Sequence, residues 1–197
     1  IRLFKYTQST FQIGKIRRLI SQIGSIVLLV NNAGILKYNS IGNISEEEVN
    51  SNHRYVVYAA QVKAVVNITQ EVAKGMIDHK RVGCSIVNVS SAATNVTRTE
   101  YLIYGAAKAA IDQITRVSAL ELGKHQTRVN AIQTGAVLTD MHHRVLIGLE
   151  GAFIGRAPLH RAALVIDVTN FVVYLLSDKA DMITGACIPI DGCYTAC

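Results

Sequence analysis

Tyr104 and Lys108 lie four residues apart in an alanine-rich stretch, so they share one face of the helix that this stretch predicts. A tyrosine hydroxyl has a reference pKa of about 10, and a lysine ammonium within a few ångströms lowers that pKa by favouring the phenolate. Ser91 stands thirteen residues before Tyr104, where its hydroxyl can hold a substrate oxygen beside the phenol. These residue types suit proton transfer to a carbonyl oxygen whose carbon receives a hydride from a nicotinamide.

Three polar or glycine-rich segments each follow an apolar run that is typical of a buried strand. The segments are residues 31–34, 90–92 and 133–139. Each of them alone is also explained by a helix cap or a turn, since Asn, Ser and Gly favour both. In parallel α/β sheets, however, ligands bind beyond the carboxyl ends of the strands. We therefore expect these three segments to carry the chemistry together.

The spacing of the apolar residues predicts strands that alternate with helices. Strands are predicted at residues 2–6, 26–30, 85–89, 128–132 and 186–190. Helices are predicted at residues 12–23, from Ser45 onward, and at 62–76, 102–123 and 167–176. Most of the strands are apolar without alternation, as in strands covered by helices on both faces. This order predicts an α/β fold with a doubly wound parallel sheet, in one domain that spans residues 1–197.

Composition and charge exclude several classes of function. Of the 197 residues, 50% are hydrophobic and 17% are charged, which excludes a disordered chain. No apolar run approaches the roughly 20 residues of a membrane span, and no signal stretch opens the chain. The net charge of +6 is scattered, so we expect neither a nucleic-acid partner nor a membrane partner, and a cytoplasmic location. The four cysteines form no CxxC, so we expect no metal site.

Four motifs occur in order along the chain. They are Asn31-Asn32-Ala33-Gly34, Ser91 followed by Tyr104-x-x-x-Lys108, Arg128-Val129-Asn130, and the stretch from Gly135 to Thr139. In this order they resemble the motifs of the short-chain dehydrogenase/reductase family, and the resemblance runs from about residue 20 to residue 197. The ending from Thr184 onward is similar to the dicarbonyl/L-xylulose reductase branch, which comprises tetrameric carbonyl reductases. The resemblance implies a Rossmann-like sheet.

The resemblance also implies a role for each matching catalytic residue. Tyr104 would be the general acid and base, and Ser91 would position the carbonyl oxygen. Lys108 would lower the pKa of Tyr104 and hold the nicotinamide ribose. Gln61 stands where the family has a catalytic Asn on a helix, with an amide that is one methylene longer.

For the cofactor, the resemblance implies contacts on both sides of a dinucleotide. Asn31, Ala33 and Gly34 would line its adenosine side, while Val137 and Thr139 would contact its nicotinamide end. The implied cofactor is NADP, and NAD stays possible. Helix 102–123 would form a subunit interface in a homo-tetramer or homo-dimer.

The implied activity is reduction of a small dicarbonyl, a ketone or an aldehyde. Residues 140–155 would form the substrate loop, and their apolar side chains favour such substrates over a sugar, which needs more hydrogen-bond donors. A plain amphipathic helix packed on the core explains the same apolar residues equally well. The alternative is a non-catalytic binding or structural protein of the same fold without a competent cofactor site. Titration with NADPH separates these two hypotheses.

The sequence departs from the family pattern at several positions. The family opens with a Gly-x-x-x-Gly-x-Gly turn that receives the pyrophosphate, and the chain contains no such turn. We therefore expect this sequence to lack the family's first strand–helix–strand unit. The usual Asn-Pro-Gly is replaced by Gln133-Thr134-Gly135, and the usual pair of glycines near the C-terminus is replaced by Gly192-Cys193.

Overall fold

A computed structural model of the chain describes residues 13–38, 40–44, 56–141 and 154–196. The predicted strand at residues 2–6, the predicted helix start at Ser45 and most of the predicted substrate loop lie outside the described residues. Within the described residues, no helix combines the length and the hydropathy needed to cross a bilayer.

The described sheet contains four strands in the order β1-β2-β3-β4, and every neighbouring pair is parallel. The strands are β1 Leu28–Asn31, β2 Cys84–Ser91, β3 Thr127–Thr134 and β4 Cys187–Ile190. β2 and β3 extend beyond the apolar runs that predicted them, because their polar ends continue the same ladder. Ser90 pairs with Gln133 and Ser91 pairs with Thr134. The ladder thereby fixes the polar ends of both strands at one edge of the sheet.

Helices cover both faces of this sheet, which confirms the predicted doubly wound α/β fold. They are α1 Ile13–Ile23, the composite helix α2 (Val56–Tyr58, a π-helical turn Ala59–Lys63, and Ala64–Asp78), α3 Leu102–Leu122 and α4 Val165–Leu176. On one face, Val72 and Met76 of α2 pack with Ile86 and Val129. On the other face, Leu175 of α4 packs with the side chains from alternate positions of β2 and β3.

The first strand differs from its prediction in burial. Residues 26–30 are apolar throughout and were expected to be covered on both faces, yet Leu28 is 47% exposed and Val30 is 41% exposed. Leu29 packs against the core on the α2 face. On the opposite face α4 packs on β2 and β3. β1 lies one strand further out, so its side chains on that face stay accessible within the described part of the chain.

Gly135 marks the place where the segment after β3 passes the segment after β4. A Cβ built on Gly135 would lie 3.0 Å from both Cα and Cβ of Asp191. Asp191 cannot move away easily, because its carboxylate accepts hydrogen bonds from the backbone N–H groups of Cys193 and Thr195. This close approach explains the need for glycine after Thr134.

We expect Gly135→Ala to lower the free energy of unfolding by about 1–3 kcal/mol, because the new methyl group overpacks against backbone atoms. Urea unfolding followed by circular dichroism measures this change. Gly123→Ala is the matched control, since its Cβ would meet nothing within 4 Å and its φ of −56° suits alanine. Equal midpoints for Gly135→Ala and the parent chain would contradict the packing argument.

Candidate functional site

Ser91, Tyr104 and Lys108 come together at the carboxyl edge of the sheet. Ser91 ends β2, whereas Tyr104 and Lys108 lie one turn apart on α3. The hydroxyl of Ser91 lies close enough to the Tyr104 phenol to lower its pKa. The Nζ atom of Lys108 lies 5.8 Å from the centre of the Tyr104 ring. The Ser91 hydroxyl and the Lys108 ammonium therefore both lie near the Tyr104 side chain.

Local hydrogen bonds hold the end of β2 against α3. The hydroxyl of Ser91 accepts the backbone N–H of Ala93 at 3.2 Å, which caps a short 3₁₀ turn. The Nζ of Lys108 donates to the carbonyl of Val89 at 2.8 Å, and the hydroxyl of Ser90 donates to the carbonyl of Lys108 at 3.3 Å. Strand and helix are thus fastened together at the residues that carry the candidate chemistry.

Burial determines the protonation of this site. It raises the pKa of the Tyr104 phenol above its ordinary value, and the neighbouring Ser91 hydroxyl opposes this rise only in part. A pKa of Tyr104 lowered by Lys108 was predicted, yet the net shift is upward, because desolvation outweighs the lowering effect of Ser91. Burial also lowers the pKa of Lys108 to about 8, against the nearby negative charge of Asp112. At neutral pH the phenol therefore holds its proton, as a proton donor must.

Gln61 lies in the π-helical turn of α2 and is fully buried. Its Nε2 donates to the carbonyl of Ile35 at 2.5 Å, and its Oε1 has no hydrogen-bond partner within the described residues. A Cβ on Gly34 would lie 3.9 Å from Nε2 of Gln61 and 3.7 Å from Nζ of Lys108. The amide of Gln61 and the ammonium of Lys108 therefore flank the same glycine. π-helical turns are frequent at functional sites.

Asn31 is the last residue of β1, and not part of the segment that follows the strand as was predicted. The Asn31 side chain is buried, and its Nδ2 donates to Asn88 at 2.8 Å and to Thr69 at 3.2 Å. This amide therefore braces β1 against β2 and α2, so only the backbone of Asn31 is available to a ligand. Ala33 is exposed and Gly34 is partly exposed. Sequence reasoning missed this because the bracing partners are distant in the chain.

Val137 and Thr139 lie in the segment that follows β3, at the same edge of the sheet as Ser91. Val137 forms a parallel β-bridge with Ala163, and the backbone N–H of Leu138 donates to the carbonyl of Ala163 at 2.9 Å. Thr139 is exposed, and its hydroxyl donates to the carbonyl of Val137 at 3.3 Å. The bridge fixes the backbone of this segment while Thr139 stays accessible.

A cavity of about 130 Å³ lies beside this segment, and none of the predicted site residues lines it. Ala136, Leu159, Ile190 and Tyr194 contribute to its wall. The candidate catalytic side chains therefore lie outside this cavity. Within the described residues, no three His, Cys, Asp or Glu side chains cluster as metal ligands would.

Two further tyrosines extend the site, and the sequence analysis missed them. The ring of Tyr101 lies edge-on to Tyr104 at 5.4 Å, and Tyr38 contacts Tyr101 at 5.7 Å between ring centres. Tyr101 precedes Tyr104 by three residues, a helical spacing that could have indicated their contact. Burial is the main reason that the pKa of Tyr101 is raised. Tyr101 thus adjoins Tyr104, and Tyr38 adjoins Tyr101.

The chain resembles known proteins over most of its length. A family model described as enoyl-(acyl carrier protein) reductase matches residues 14–195. The L-xylulose reductase of Homo sapiens is 34% identical over 182 residues, which cover 91% of this chain and 72% of that protein. A putative gluconate dehydrogenase of Agrobacterium tumefaciens has a TM-score of 0.85 at 26% identity, covering 94% of this chain and 71% of its own. A putative 2-deoxy-d-gluconate 3-dehydrogenase of the same organism, with bound NADP, has a TM-score of 0.79 at 28% identity, covering 86% and 68%.

Proposed function

The chain belongs to the short-chain dehydrogenase/reductase family of oxidoreductases, and from this membership we propose that it reduces a small ketone, aldehyde or dicarbonyl to an alcohol with NADPH. One observation carries the proposal, namely the partly buried Tyr104 phenol beside the Ser91 hydroxyl, with the Lys108 ammonium 5.8 Å from its ring. This group of side chains lies beyond the carboxyl ends of parallel strands, where α/β sheets bind ligands.

In the proposed reaction, Tyr104 gives its proton to the carbonyl oxygen as the carbonyl carbon is reduced. A bound nicotinamide supplies the hydride for this reduction. Ser91 donates a hydrogen bond to the same oxygen and holds it beside the phenol. Once Tyr104 has lost its proton, the positive charge of Lys108 stabilises the phenolate. We assign Gln61 to the same site, because its buried amide lies beside Gly34, as the Lys108 ammonium does.

The residues present fit a nicotinamide dinucleotide. Within the described residues, Lys108 donates one of its three ammonium N–H bonds to the carbonyl of Val89, and the others suit ribose hydroxyls. Ala33 has a small side chain and Gly34 has none, which leaves room beside the backbone of Asn31 for the adenosine side of the dinucleotide. On the nicotinamide side we assign Val137 and Thr139. NADP is bound in a solved relative, and NAD is the alternative cofactor.

For the substrate, we propose a small dicarbonyl or a short ketose. The human relative is named for L-xylulose. The ring of Tyr101 contacts Tyr104 and the ring of Tyr38 contacts Tyr101, and phenolic hydroxyls of this kind suit a hydroxylated ketone. These donors were absent from the sequence argument, which favoured apolar carbonyl compounds over sugars.

We further propose that the chain acts as a homo-tetramer or a homo-dimer. On α3, the predicted interface helix, Leu120 is 84% exposed and Val117 is also exposed. On α4, Val165, Ile166 and Val173 are exposed as well. Apolar side chains in such numbers on two helices favour burial against a second copy.

We expect NADPH to bind saturably and to be oxidised when L-xylulose or a small α-diketone is added. Quenching or enhancement of NADPH fluorescence measures the binding, and the loss of its near-ultraviolet absorbance measures the turnover. Xylitol, which has no carbonyl group, is the matched control and leaves NADPH unchanged. No binding of NADPH or NADH at millimolar concentration would overturn the proposal and favour the non-catalytic alternative.

A further inference from the structure

Gln133 joins three elements of the site through one buried amide. It lies near the end of β3 and is only 3% exposed. Its Nε2 donates to Oδ2 of Asp112 at 2.7 Å and to the hydroxyl of Thr94 at 2.8 Å, while its Oε1 accepts from Asn95 at 2.7 Å. Thr94 in turn donates to the carbonyl of Ser91 at 3.0 Å. The turn that follows Ser91 is thus connected through Gln133 to α3.

Asp112 is an unusual side chain to find in this position. It is 3% exposed, lies one helical turn after Lys108, and its Oδ1 has no hydrogen-bond partner within the described residues. A buried carboxylate is costly unless a positive charge lies close to it. Lys108 supplies that charge, since it is buried on the same face of α3.

We propose that Asp112 and Gln133 are positioning residues of the active site. Asp112 keeps the buried Lys108 charged, and Gln133 ties this carboxylate to the turn that holds Ser91. The pair sets the distance between the strand that carries Ser91 and the helix that carries Tyr104 and Lys108. This inference rests on the proposed function for its effect on turnover, while the contacts themselves do not depend on it.

The charges around Lys108 support this assignment. The groups that face it within the described residues are Asp112 and Tyr104 from α3, the carbonyl of Val89 from β2 and the amide of Gln61 from α2. Of these, Asp112 is the one that raises the pKa of Lys108 against the lowering effect of burial. Removal of the carboxylate charge therefore makes the ammonium lose its proton at a lower pH.

The test compares Asp112→Asn with Glu121→Gln, which removes one negative charge from an exposed position of the same helix. Lys108 is titrated by NMR of its ¹³C-labelled side chain, which needs no turnover, and the pH profile of kcat/KM is recorded in parallel. For Asp112→Asn we expect the pKa of Lys108 and the alkaline limb of the profile to move down by about one pH unit. Glu121→Gln leaves both in place. An unchanged Lys108 pKa in Asp112→Asn would overturn the inference.

A second pair of variants tests the amide. Gln133→Leu removes the hydrogen bonds at similar volume, and we expect kcat to fall about tenfold with KM for NADPH nearly unchanged. Gln133→Asn restores an amide and should recover most of kcat. Equal kcat in Gln133→Leu and the parent chain would overturn the inference even if Asp112→Asn fails to fold. If the parent chain shows no turnover at all, the proposed function fails, and the Lys108 titration still decides the link to Asp112.

Discussion

Tyr104→Phe is expected to lower kcat by about a thousandfold, because general acid catalysis contributes about 10²–10⁴-fold and phenylalanine has no proton to give. The Kd for NADPH should change by no more than about twofold, since the aromatic ring and the Lys108 ammonium stay in place. We expect this variant to fold, because the lost hydroxyl is replaced by no larger group and the neighbouring Ser91 hydroxyl still accepts the backbone N–H of Ala93. Stopped-flow measurement of a single turnover, with NADPH fluorescence as the binding readout, separates the two effects.

Tyr174→Phe is the matched control for this experiment. It also removes one phenolic hydroxyl. Tyr174 lies on α4, and its hydroxyl donates to the carbonyl of Lys179 at 3.2 Å. We expect its kcat and its affinity for NADPH to equal those of the parent chain. If Tyr104→Phe retained more than about a tenth of the parent kcat, another group would have to supply the proton, and the proposed role of Tyr104 would be wrong.

The fold could be predicted from the sequence because its strongest signals are local. Each uniformly apolar strand and each amphipathic helix is recognisable from a pattern of about ten residues. The alternation of strands and helices is compatible with only a few sheet topologies. The strand ends were predicted less well. Ser90, Ser91, Gln133 and Thr134 are polar, yet they stay in the ladder because their partners across the sheet are in register. A pairing between residues more than forty positions apart leaves no trace in a local pattern.

The residues of the candidate site also fall into those with a local sequence signal, which were predicted, and those without one, which were not. Ser91, Tyr104 and Lys108 were predicted because each has a local reason to be there, a strand end or a helical spacing. The roles of Asp112 and Gln133 were missed, since a lone Asp on a helix usually faces water. The net direction of the Tyr104 pKa was also missed, because it depends on how completely neighbouring elements exclude water. Chemistry that depends on residue type is readable in a sequence, whereas chemistry that depends on burial needs the packed structure.

Lys108→Met should have the second large effect on kcat, because it removes the positive charge while the side chain keeps nearly the same shape. Methionine is unbranched, so it fills the space that the aliphatic part of the lysine side chain occupies. We expect kcat to fall at least about a hundredfold, because the Tyr104 phenolate loses its stabilising charge. The affinity for NADPH should also fall, since the ammonium is the donor assigned to the ribose. Lys124→Met, at an exposed position beyond the end of α3, is the control and leaves both quantities unchanged.

The stability of the same variant follows from the pKa of Lys108, which burial lowers to about 8 from 10.5. Between these two pH values the unfolded chain binds the proton and the folded chain does not, so folding stability rises with pH. Below pH 8 the buried charge of Lys108 therefore lowers the free energy of unfolding by its full amount. This free energy rises by about 3 kcal/mol between pH 8 and pH 10.5, as Lys108 loses its proton in the folded chain.

In Lys108→Met this increase with pH should be missing, while Lys124→Met should show it as the parent chain does. Urea unfolding at pH 7, 9 and 10.5 measures the difference, and comparison of the variants cancels the other groups that titrate in this range. At pH 7, removal of the buried charge in Lys108→Met raises the free energy of unfolding. This rise is offset in part, because the carbonyl of Val89 loses its hydrogen-bond donor at a cost of about 1–3 kcal/mol. An identical pH dependence in Lys108→Met and the parent chain would mean that Lys108 is solvated. The charge proposed to stabilise the Tyr104 phenolate would then be too well screened to do so.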